Sequence, residues 1–327
     1  MPFLGSVIPT FDPVSPQARS ILDLTWVTVA ILAVILAIVC GAVIVILLRF
    51  RGKPGDADPP AVHGHTKLEI TWTAIPFAIV TLLFVLSLRT MGQIHPAAAP
   101  NQAPDVIVVG HQWWWEVRYP ASGVITANEI HLPVGKDALI RLESADVIHD
   151  FWVPQLGPKQ DAVPGHPNFL WLQPTAPGIY DGACAEFCGN AHAWMRLRVI
   201  AETPETFAAW TAAQARPPAS QHTEQILKGG AIFQEQACVN CHRVAGMSDT
   251  ANAAPDLTYV ATRQTIGAGV MENSPENLAR WLENPQAIKP QCNMPDFNLS
   301  EEEVAALVTF LWSLPNPTPP QGSLDHE

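Results

Sequence analysis

The chain has 327 residues, of which 48% are hydrophobic and 15% charged, and its formal net charge at pH 7 is −12. This length is enough for two or three domains, and the acidic surplus argues against a nucleic-acid partner. After Pro104 there are 25 acidic and only 12 basic residues. Such a charge fits a basic soluble partner, or an acidic surface that only keeps the domain soluble.

Two uncharged apolar stretches, residues 26–48 and 70–88, come first along the chain. As helices they would be about 34 and 28 Å long, close to the roughly 30 Å thickness of a bilayer's hydrocarbon core. They predict a transmembrane hairpin, with helices at about 24–48 and 70–90, within an N-terminal part of residues 1–91. A cleaved signal peptide is the alternative for the first stretch, but a second span follows it and no small-residue cleavage site is present.

Basic residues cluster in the loop between the two stretches. They are Arg49, Arg51, Lys53 and Lys67, whereas each outer flank carries a single arginine. The positive-inside rule therefore predicts a cytoplasmic loop, with both ends of the chain on the outer side of the membrane.

Proline- and alanine-rich joints at 92–104 and 203–221 separate three parts of the chain. The middle part, 104–202, consists of short β-branched or aromatic runs broken by Gly, Pro and Asn, which predicts an antiparallel sandwich or barrel. In this part HQWWWE (111–116) is predicted as one strand, and alternation places Trp113 and Trp115 on the same face.

The last part, 222–315, has helical apolar spacing in three segments and is predicted to be a small all-α domain. Ser300 precedes the last segment and Glu303 follows three residues later, as in a capping box.

The stretch CAEFCGNAHAWM (184–195) contains Cys184, Cys188, His192 and Met195. Thiolate, imidazole and thioether together suit copper, and two cysteines permit two bridging thiolates and therefore two copper ions. His149 is the candidate for a second histidine. A disulfide or a zinc site is the alternative, but zinc rarely binds methionine, and a disulfide leaves the histidine and methionine unexplained.

A second motif, CVNCH (238–242), has the C-x-x-C-H pattern of covalent haem attachment. Cys238 and Cys241 would form thioethers to the porphyrin, and His242 would bind the iron. Met294 is the candidate for the second axial ligand, with Met271 as the alternative. A redox dithiol or half of a zinc site would require neighbouring features that the sequence lacks.

The copper motif resembles the binuclear CuA motif of cytochrome c oxidase subunit II, and SADVIHDFWVPQLGPKQDAVPGHPN resembles that family's segment with the first histidine ligand. The resemblance implies a cupredoxin-like Greek-key sandwich, and the last part resembles a class I cytochrome c domain. It implies a CuA ligand set of His149, Cys184, Cys188, His192, Met195 and the backbone carbonyl of Glu186. The Glu186 side chain would reach a magnesium ion shared with the catalytic subunit.

The same resemblance gives roles to two further residues. Trp113 matches the tryptophan through which electrons reach CuA. Glu69, in KLEITWTAIP at the cytoplasmic start of the second helix, matches a carboxylate near the mouth of a proton path. An ionisable group at a helix end can also simply extend into the membrane interface, and this alternative for Glu69 remains open.

The sequence therefore leads us to expect the electron-input subunit of a terminal haem-copper oxidase in a bacterial inner membrane, with both extramembrane domains in the periplasm. By the resemblance, electrons from cytochrome c or a membrane quinol:cytochrome reductase pass through haem c and CuA to subunit I, which reduces oxygen and pumps protons. Subunit III and membrane lipid are the other expected partners. A CuA-type subunit of a nitric oxide reductase, or a free-standing membrane-anchored electron carrier, is the alternative.

Overall fold

The computed structural model describes residues 8–52, 54, 55, 57, 61, 63–94, 102–216 and 223–314. Parts of the predicted joints, residues 95–101 and 217–221, lie outside the described residues, as does the predicted tail from 315 onward. The rest of the second joint is not a linker as predicted: Pro204–Gln214 is a helix, because Thr203 caps it and Trp210 packs into the sandwich core. The chain divides into two compact units. One holds nearly all of the two long helices, and the other holds the sandwich and the last helical domain together.

Helices α1 (Pro16–Arg49) and α2 (Thr66–Ile94) are both long and apolar enough to cross a membrane. Each is longer than the predicted span because polar groups near its first turn extend it beyond the apolar stretch. Ser15 Oγ accepts a hydrogen bond from the backbone N–H of Ala18 at the start of α1 (2.9 Å). At the start of α2, Glu69 Oε1 accepts one from the backbone N–H of His65 (3.0 Å).

The middle part is a β-sandwich, as predicted. Its ten strands are β1 (Val106–His111), β2 (Trp114–Tyr119), β3 (Val124–Ala127), β4 (Glu129–Pro133), β5 (Ala138–Ser144), β6 (His149–Trp152), β7 (Gln160–Ala162), β8 (Asn168–Leu172), β9 (Gly178–Cys184) and β10 (Arg196–Glu202). They form two five-stranded sheets, ordered β3-β2-β1-β5-β8 and β4-β10-β9-β6-β7. The sheets are mixed and not purely antiparallel as predicted, because β1 pairs in parallel with β5 and β4 with β10. Alternate residues of both sheets are buried between them in one hydrophobic core.

The prediction of a single strand through HQWWWE is wrong. β1 ends at His111, β2 begins at Trp114, and these two residues lie opposite each other in the antiparallel pair. Gln112 and Trp113 therefore form a two-residue turn that reverses the chain. Because Trp113 lies in the turn and not in a strand, strand alternation does not place it on the same face as Trp115. Trp115 is buried in the sandwich core, while Trp113 lies at the sheet end.

The last domain is mainly helical. Helix α3 (Pro204–Gln214) comes before it and packs against the sandwich core through Trp210. The elements of the last domain are α4 (Glu224–Glu235), the short strands β11 (Thr265–Ile266) and β12 (Met271–Glu272), and helices α5 (Pro275–Glu283), α6 (Pro285–Ile288) and α7 (Glu301–Ser313). The predicted capping box is confirmed: Ser300 Oγ accepts from the Glu303 N–H, and the Glu303 carboxylate accepts from the Ser300 N–H. Helix α4 packs against α7, and their apolar faces contribute to a second hydrophobic core.

Candidate metal centres

The predicted copper ligands converge at one end of the sandwich. His149 begins β6 and Cys184 ends β9, and these two strands are neighbours in the same sheet. The loop after β9 then returns to the same end of the sheet and brings Cys188, His192 and Met195 to Cys184 before β10 begins. Strand pairing thus fixes the positions of one histidine and one cysteine, and a single loop supplies the remaining candidate ligands.

The sulfur and nitrogen atoms lie close enough to share metal ions. Cys184 Sγ lies 3.8 Å from Cys188 Sγ and 3.9 Å from His149 Nδ1. Cys188 Sγ lies 3.5 Å from His192 Nδ1 and 3.8 Å from Met195 Sδ. A disulfide needs sulfurs about 2.05 Å apart, and both cysteines are free, so the disulfide alternative does not fit this geometry.

A backbone carbonyl completes the cluster. The oxygen of Glu186 lies 3.3 Å from Cys184 Sγ, while the Glu186 side chain turns back to accept a hydrogen bond from the N–H of Phe187 (3.1 Å). Two thiols, two imidazoles and a thioether are soft or borderline donors, and together with a backbone carbonyl they would suit a pair of copper ions.

Electrostatics favour thiolate in the cluster. The contact between the two sulfurs lowers the pKa of Cys184 and raises that of Cys188, so the pair retains one proton that metal binding would displace. Burial alone would lower the pKa of His149, but its contacts with Cys184 and Asp146 outweigh burial and raise it. His149 Nε2 lies 2.8 Å from Asp146 Oδ1, which leaves Nδ1 directed at Cys184, as in carboxylate–histidine–metal arrangements.

The CVNCH motif lies beside a cavity of about 360 Å³. Among its lining residues are Cys238, Cys241, His242, Met294, Trp113 and Lys289. The Nδ1 of His242 donates to the carbonyl of Pro255 (2.8 Å), which leaves Nε2 free for iron, and burial lowers the pKa of His242 so that its imidazole stays neutral. The residues present therefore fit a covalently bound haem.

Met294 rather than Met271 would supply the thioether that holds the haem iron. Met294 lines the cavity, and its Sδ accepts a hydrogen bond from Trp281 Nε1 (3.2 Å), which holds the thioether in place. Met271 is buried in β12 and packs in the hydrophobic core of the last domain, and it is not among the residues that line the cavity.

Trp113 connects the two candidate sites. It lines the haem cavity, and its Nε1 donates to the carbonyl of Cys188 (3.0 Å). The Gln112 Nε2 donates to the same carbonyl (2.7 Å). Sequence reasoning missed Gln112 and Lys289, because neither residue stands in a ligand-like motif.

Glu69 lies in the first turn of α2, where it is exposed and accepts the backbone hydrogen bond of His65. This contact caps the helix and does not discriminate between a proton-path role and an interfacial one.

Three sequence families match the chain. Residues 8–90 match the transmembrane domain of cytochrome c oxidase subunit II, residues 121–202 match its periplasmic domain, and residues 226–315 match cytochrome c. A cytochrome c oxidase subunit 2 of Alkalihalophilus pseudofirmus is 37% identical over 315 residues, which cover 93% of this chain and 90% of that protein. The chain belongs to the cytochrome c oxidase subunit II family.

The chain is also similar to two other proteins of this kind. The cytochrome c oxidase subunit 2 of Bacillus subtilis is 31% identical over 333 residues, which cover 96% of this chain and 92% of that protein. The crystal structure of the periplasmic domain of subunit II of cytochrome oxidase from Bradyrhizobium japonicum is 29% identical, with a TM-score of 0.34, and covers 36% of this chain and 96% of that structure. The family matches and the Alkalihalophilus relative show that this subunit II is part of a cytochrome c oxidase and is anchored in the membrane with a periplasmic domain. Its families imply CuA in the sandwich and haem c in the last domain.

Proposed function

We propose that this subunit II takes electrons from a donor on the periplasmic side and delivers them to subunit I, which reduces oxygen to water and pumps protons. Haem c and CuA, when bound, supply two successive one-electron carriers. The residues that hold the haem are Cys238, Cys241, His242 and Met294. The residues that hold the copper pair are His149, Cys184, Cys188, His192, Met195 and, through its carbonyl, Glu186.

The position of Trp113 carries this proposal. Its indole lines the haem cavity and donates a hydrogen bond to Cys188, one of the copper ligands. An electron that leaves the cavity therefore has a direct path through one aromatic side chain to the copper cluster. The copper ligands His149 and Cys184 stand on adjacent paired strands, and this stiff support limits rearrangement when the charge changes.

We infer the electron donor and the partner subunits from the charge of the chain and from its family. The acidic balance of the extramembrane part, 12 basic against 25 acidic residues, favours a basic soluble donor such as cytochrome c, and a membrane quinol:cytochrome reductase is the other donor that we propose. Subunits I and III and the lipid of a bacterial cytoplasmic membrane are the remaining partners that we propose.

Two further roles belong to this proposal. We assign the exposed carboxylate of Glu186 to a magnesium ion at the interface with subunit I, because its backbone carbonyl lies at the copper cluster and its side chain lies outside it. We assign Glu69 to the entrance of a proton path, because its carboxylate is exposed in the first turn of α2.

The alternatives are a nitric oxide reductase and a free-standing electron carrier. Both would use the same copper and haem ligands, so the cluster geometry does not separate them from an oxidase. The test therefore measures the terminal acceptor of the complex.

The deciding experiment isolates the tagged chain from its membrane in mild detergent and compares oxygen and nitric oxide consumption with a reduced donor. We expect rapid oxygen uptake that His192→Ala abolishes, because this change removes a copper ligand and leaves the haem spectrum unchanged. The matched control is His63→Ala, at an exposed histidine in the loop between the long helices, which should retain full oxygen uptake.

Two results would contradict the proposal that the chain is part of an oxidase. Consumption of nitric oxide alone would preserve the electron-transfer residues but replace the acceptor and remove the pumping proposal. A chain that purifies alone and consumes neither gas would be an anchored carrier.

A further inference from the structure

Lys289 lies buried between the haem domain and the sandwich, with only 3% of its surface exposed. Its Nζ donates to the carbonyl of Trp113 in the sandwich (2.7 Å) and to the carbonyl of Gly267 in the haem domain (3.0 Å). None of the ion pairs in the described part of the chain involves Lys289. The two acceptors thus belong to different domains, and Lys289 bridges them.

Burial of such a lysine lowers the stability of the folded protein. Removal of an ammonium group from water costs free energy, and burial lowers the pKa of Lys289 to about 7. A well-packed apolar side chain would stabilise an ordinary interface at least as well. A role other than packing therefore explains why a lysine occupies this position.

Asn293 makes a parallel contact four residues later. Its Nδ2 donates to the carbonyl of Gln112 (2.8 Å), so Lys289 and Asn293 bind two consecutive carbonyls of the turn between β1 and β2. This segment leads directly into Met294, the candidate iron ligand. It therefore ties the haem-binding loop to the backbone of the sandwich turn.

The side chains of the same turn bind the copper loop. Gln112 Nε2 and Trp113 Nε1 both donate to the carbonyl of Cys188, at 2.7 and 3.0 Å. The turn is thus held through its carbonyls by the haem domain and through its side chains by a copper ligand. A displacement of the haem domain would therefore break either the contacts of the turn with the haem domain or those of Gln112 and Trp113 with the copper loop.

We propose that Lys289 and Asn293 are positioning residues that hold the haem domain against the Gln112–Trp113 turn and so set the rate of electron transfer from haem c to CuA. This inference rests on the proposed function. The step moves one electron: the haem domain is oxidised, the copper domain is reduced, and no covalent bond or proton changes. A shift of about 1 Å between reacting partners is enough to slow a reaction strongly.

The test compares Lys289→Met and Asn293→Ala in the assembled complex with the control Lys136→Met. Lys136 is a lysine of the sandwich whose side chain is 64% exposed. After flash reduction of the haem, we expect transfer to copper to be about tenfold slower in each test variant, with the haem absorbance and copper resonance spectra unchanged. The control should match wild type. Wild-type rates in both test variants would overturn the inference.

A second measurement reports on the backbone of the turn and does not depend on electron transfer. Hydrogen exchange in the peptide 111–115 of the purified complex should be faster in Lys289→Met and Asn293→Ala and unchanged in Lys136→Met. Where Lys289→Met does not accumulate as folded protein, Asn293→Ala decides alone, because it removes one hydrogen bond and no charge. Absence of haem-to-copper transfer in the wild type would instead refute the proposed function.

Discussion

Gly189 shows how closely the copper loop approaches the turn that carries Trp113. Its φ of +114° lies in a region that favours glycine. A Cβ at this position would lie 3.0 Å from both Gln112 Nε2 and Trp113 Cζ2. Glycine therefore provides both the conformation and the space that allow the Cys188 carbonyl to accept two hydrogen bonds.

We predict that Gly189→Ala destabilises the sandwich by about 3 kcal/mol, from backbone strain together with overpacking. Gly123→Ala is the matched control, because Gly123 has a φ of +73° and open space around its Cβ position. It should cost only about 1 kcal/mol, the strain alone. Denaturant unfolding measures the free energy of unfolding of the two variants. An equal decrease in both would show that close contact with Trp113 does not contribute to the effect of Gly189→Ala.

Glu116 in β2 gives a pH-dependent prediction. Burial alone would raise its pKa, but hydrogen bonds from His111 and Arg118 outweigh burial and lower it. A lowered carboxylate pKa contributes stability above the unfolded value of 4.5, and this contribution is lost as the pH falls through the folded pKa. Glu116→Gln should therefore cost about 1–2 kcal/mol at pH 7. The cost should shrink in unfolding experiments towards pH 3, and a constant difference would contradict the assigned ionisation.

The candidate ligands could be predicted from the sequence because each motif is short and chemically specific. Cys184, Cys188, His192 and Met195 stand within twelve residues, and the loop that carries them needs only one strand pair to complete the cluster. Lys289 could not be predicted, because its partner Trp113 is 176 residues away and a lone lysine has no motif.

At the scale of elements, the contact between α4 and α7 depends on one glycine. A Cβ on Gly229 would lie 2.2 Å from the carbonyl oxygen of Ala306 and 2.6 Å from Phe310 Cβ. The backbone of α4 therefore touches α7 directly at this position. At the adjacent Gly230 the nearest atom would lie 3.4 Å away, an ordinary contact.

We predict that Gly229→Ala destabilises the haem domain by about 2 kcal/mol or more, because α4 must move away from α7. Gly230→Ala should be neutral or stabilise by up to about 1 kcal/mol, since alanine favours the helix. Thermal unfolding followed by haem absorbance compares the two variants. Equal stability in both would mean that α4 and α7 do not meet as closely as Gly229 indicates.

The helices of the last domain were predictable for a physical reason that the turn before β2 lacks. Apolar spacing of a helical period and the caps Ser274 and Ser300 act within a few residues, so local sequence determines where α5 and α7 begin. The run HQWWWE contains no Gly, Pro or Asn, and its reversal depends on packing against the Cys188 loop. Local sequence therefore favoured a continuous strand there.

At the scale of the whole molecule, the sequence indicated a haem domain joined to the sandwich by a linker, and a linker alone would act by raising the effective concentration. The structure instead places both domains in one compact unit. Glu129 of β4 lies at their interface with 1% of its surface exposed. Its carboxylate accepts hydrogen bonds from the backbone N–H groups of Gln264 and Thr265 and from Thr265 Oγ1, at 2.8–3.0 Å.

These bonds join residues about 135 positions apart in sequence, so no local pattern could reveal them. They also make the unfolding of the two domains interdependent. In Glu129→Gln, an amide NH2 would replace Oε2 and face the N–H of Gln264, and the remaining bonds to Oε1 would lose the charge that strengthens them. A bond left unmade costs about 1–3 kcal/mol. We therefore predict that the single calorimetric transition expected for residues 102–314 separates into two, with the haem domain unfolding first.

The matched control is Glu143→Gln, at a half-buried glutamate of β5 that pairs with Arg141 within the sandwich. It changes the same charge without touching the haem domain, so it should leave one transition. If Glu129→Gln also unfolds in one transition at the wild-type temperature, this carboxylate does not join the domains. In that case the bonds of Lys289 and Asn293 to the Gln112–Trp113 turn, together with the apolar contact of Trp114 and Ala127 with Ala268, would hold the domains together.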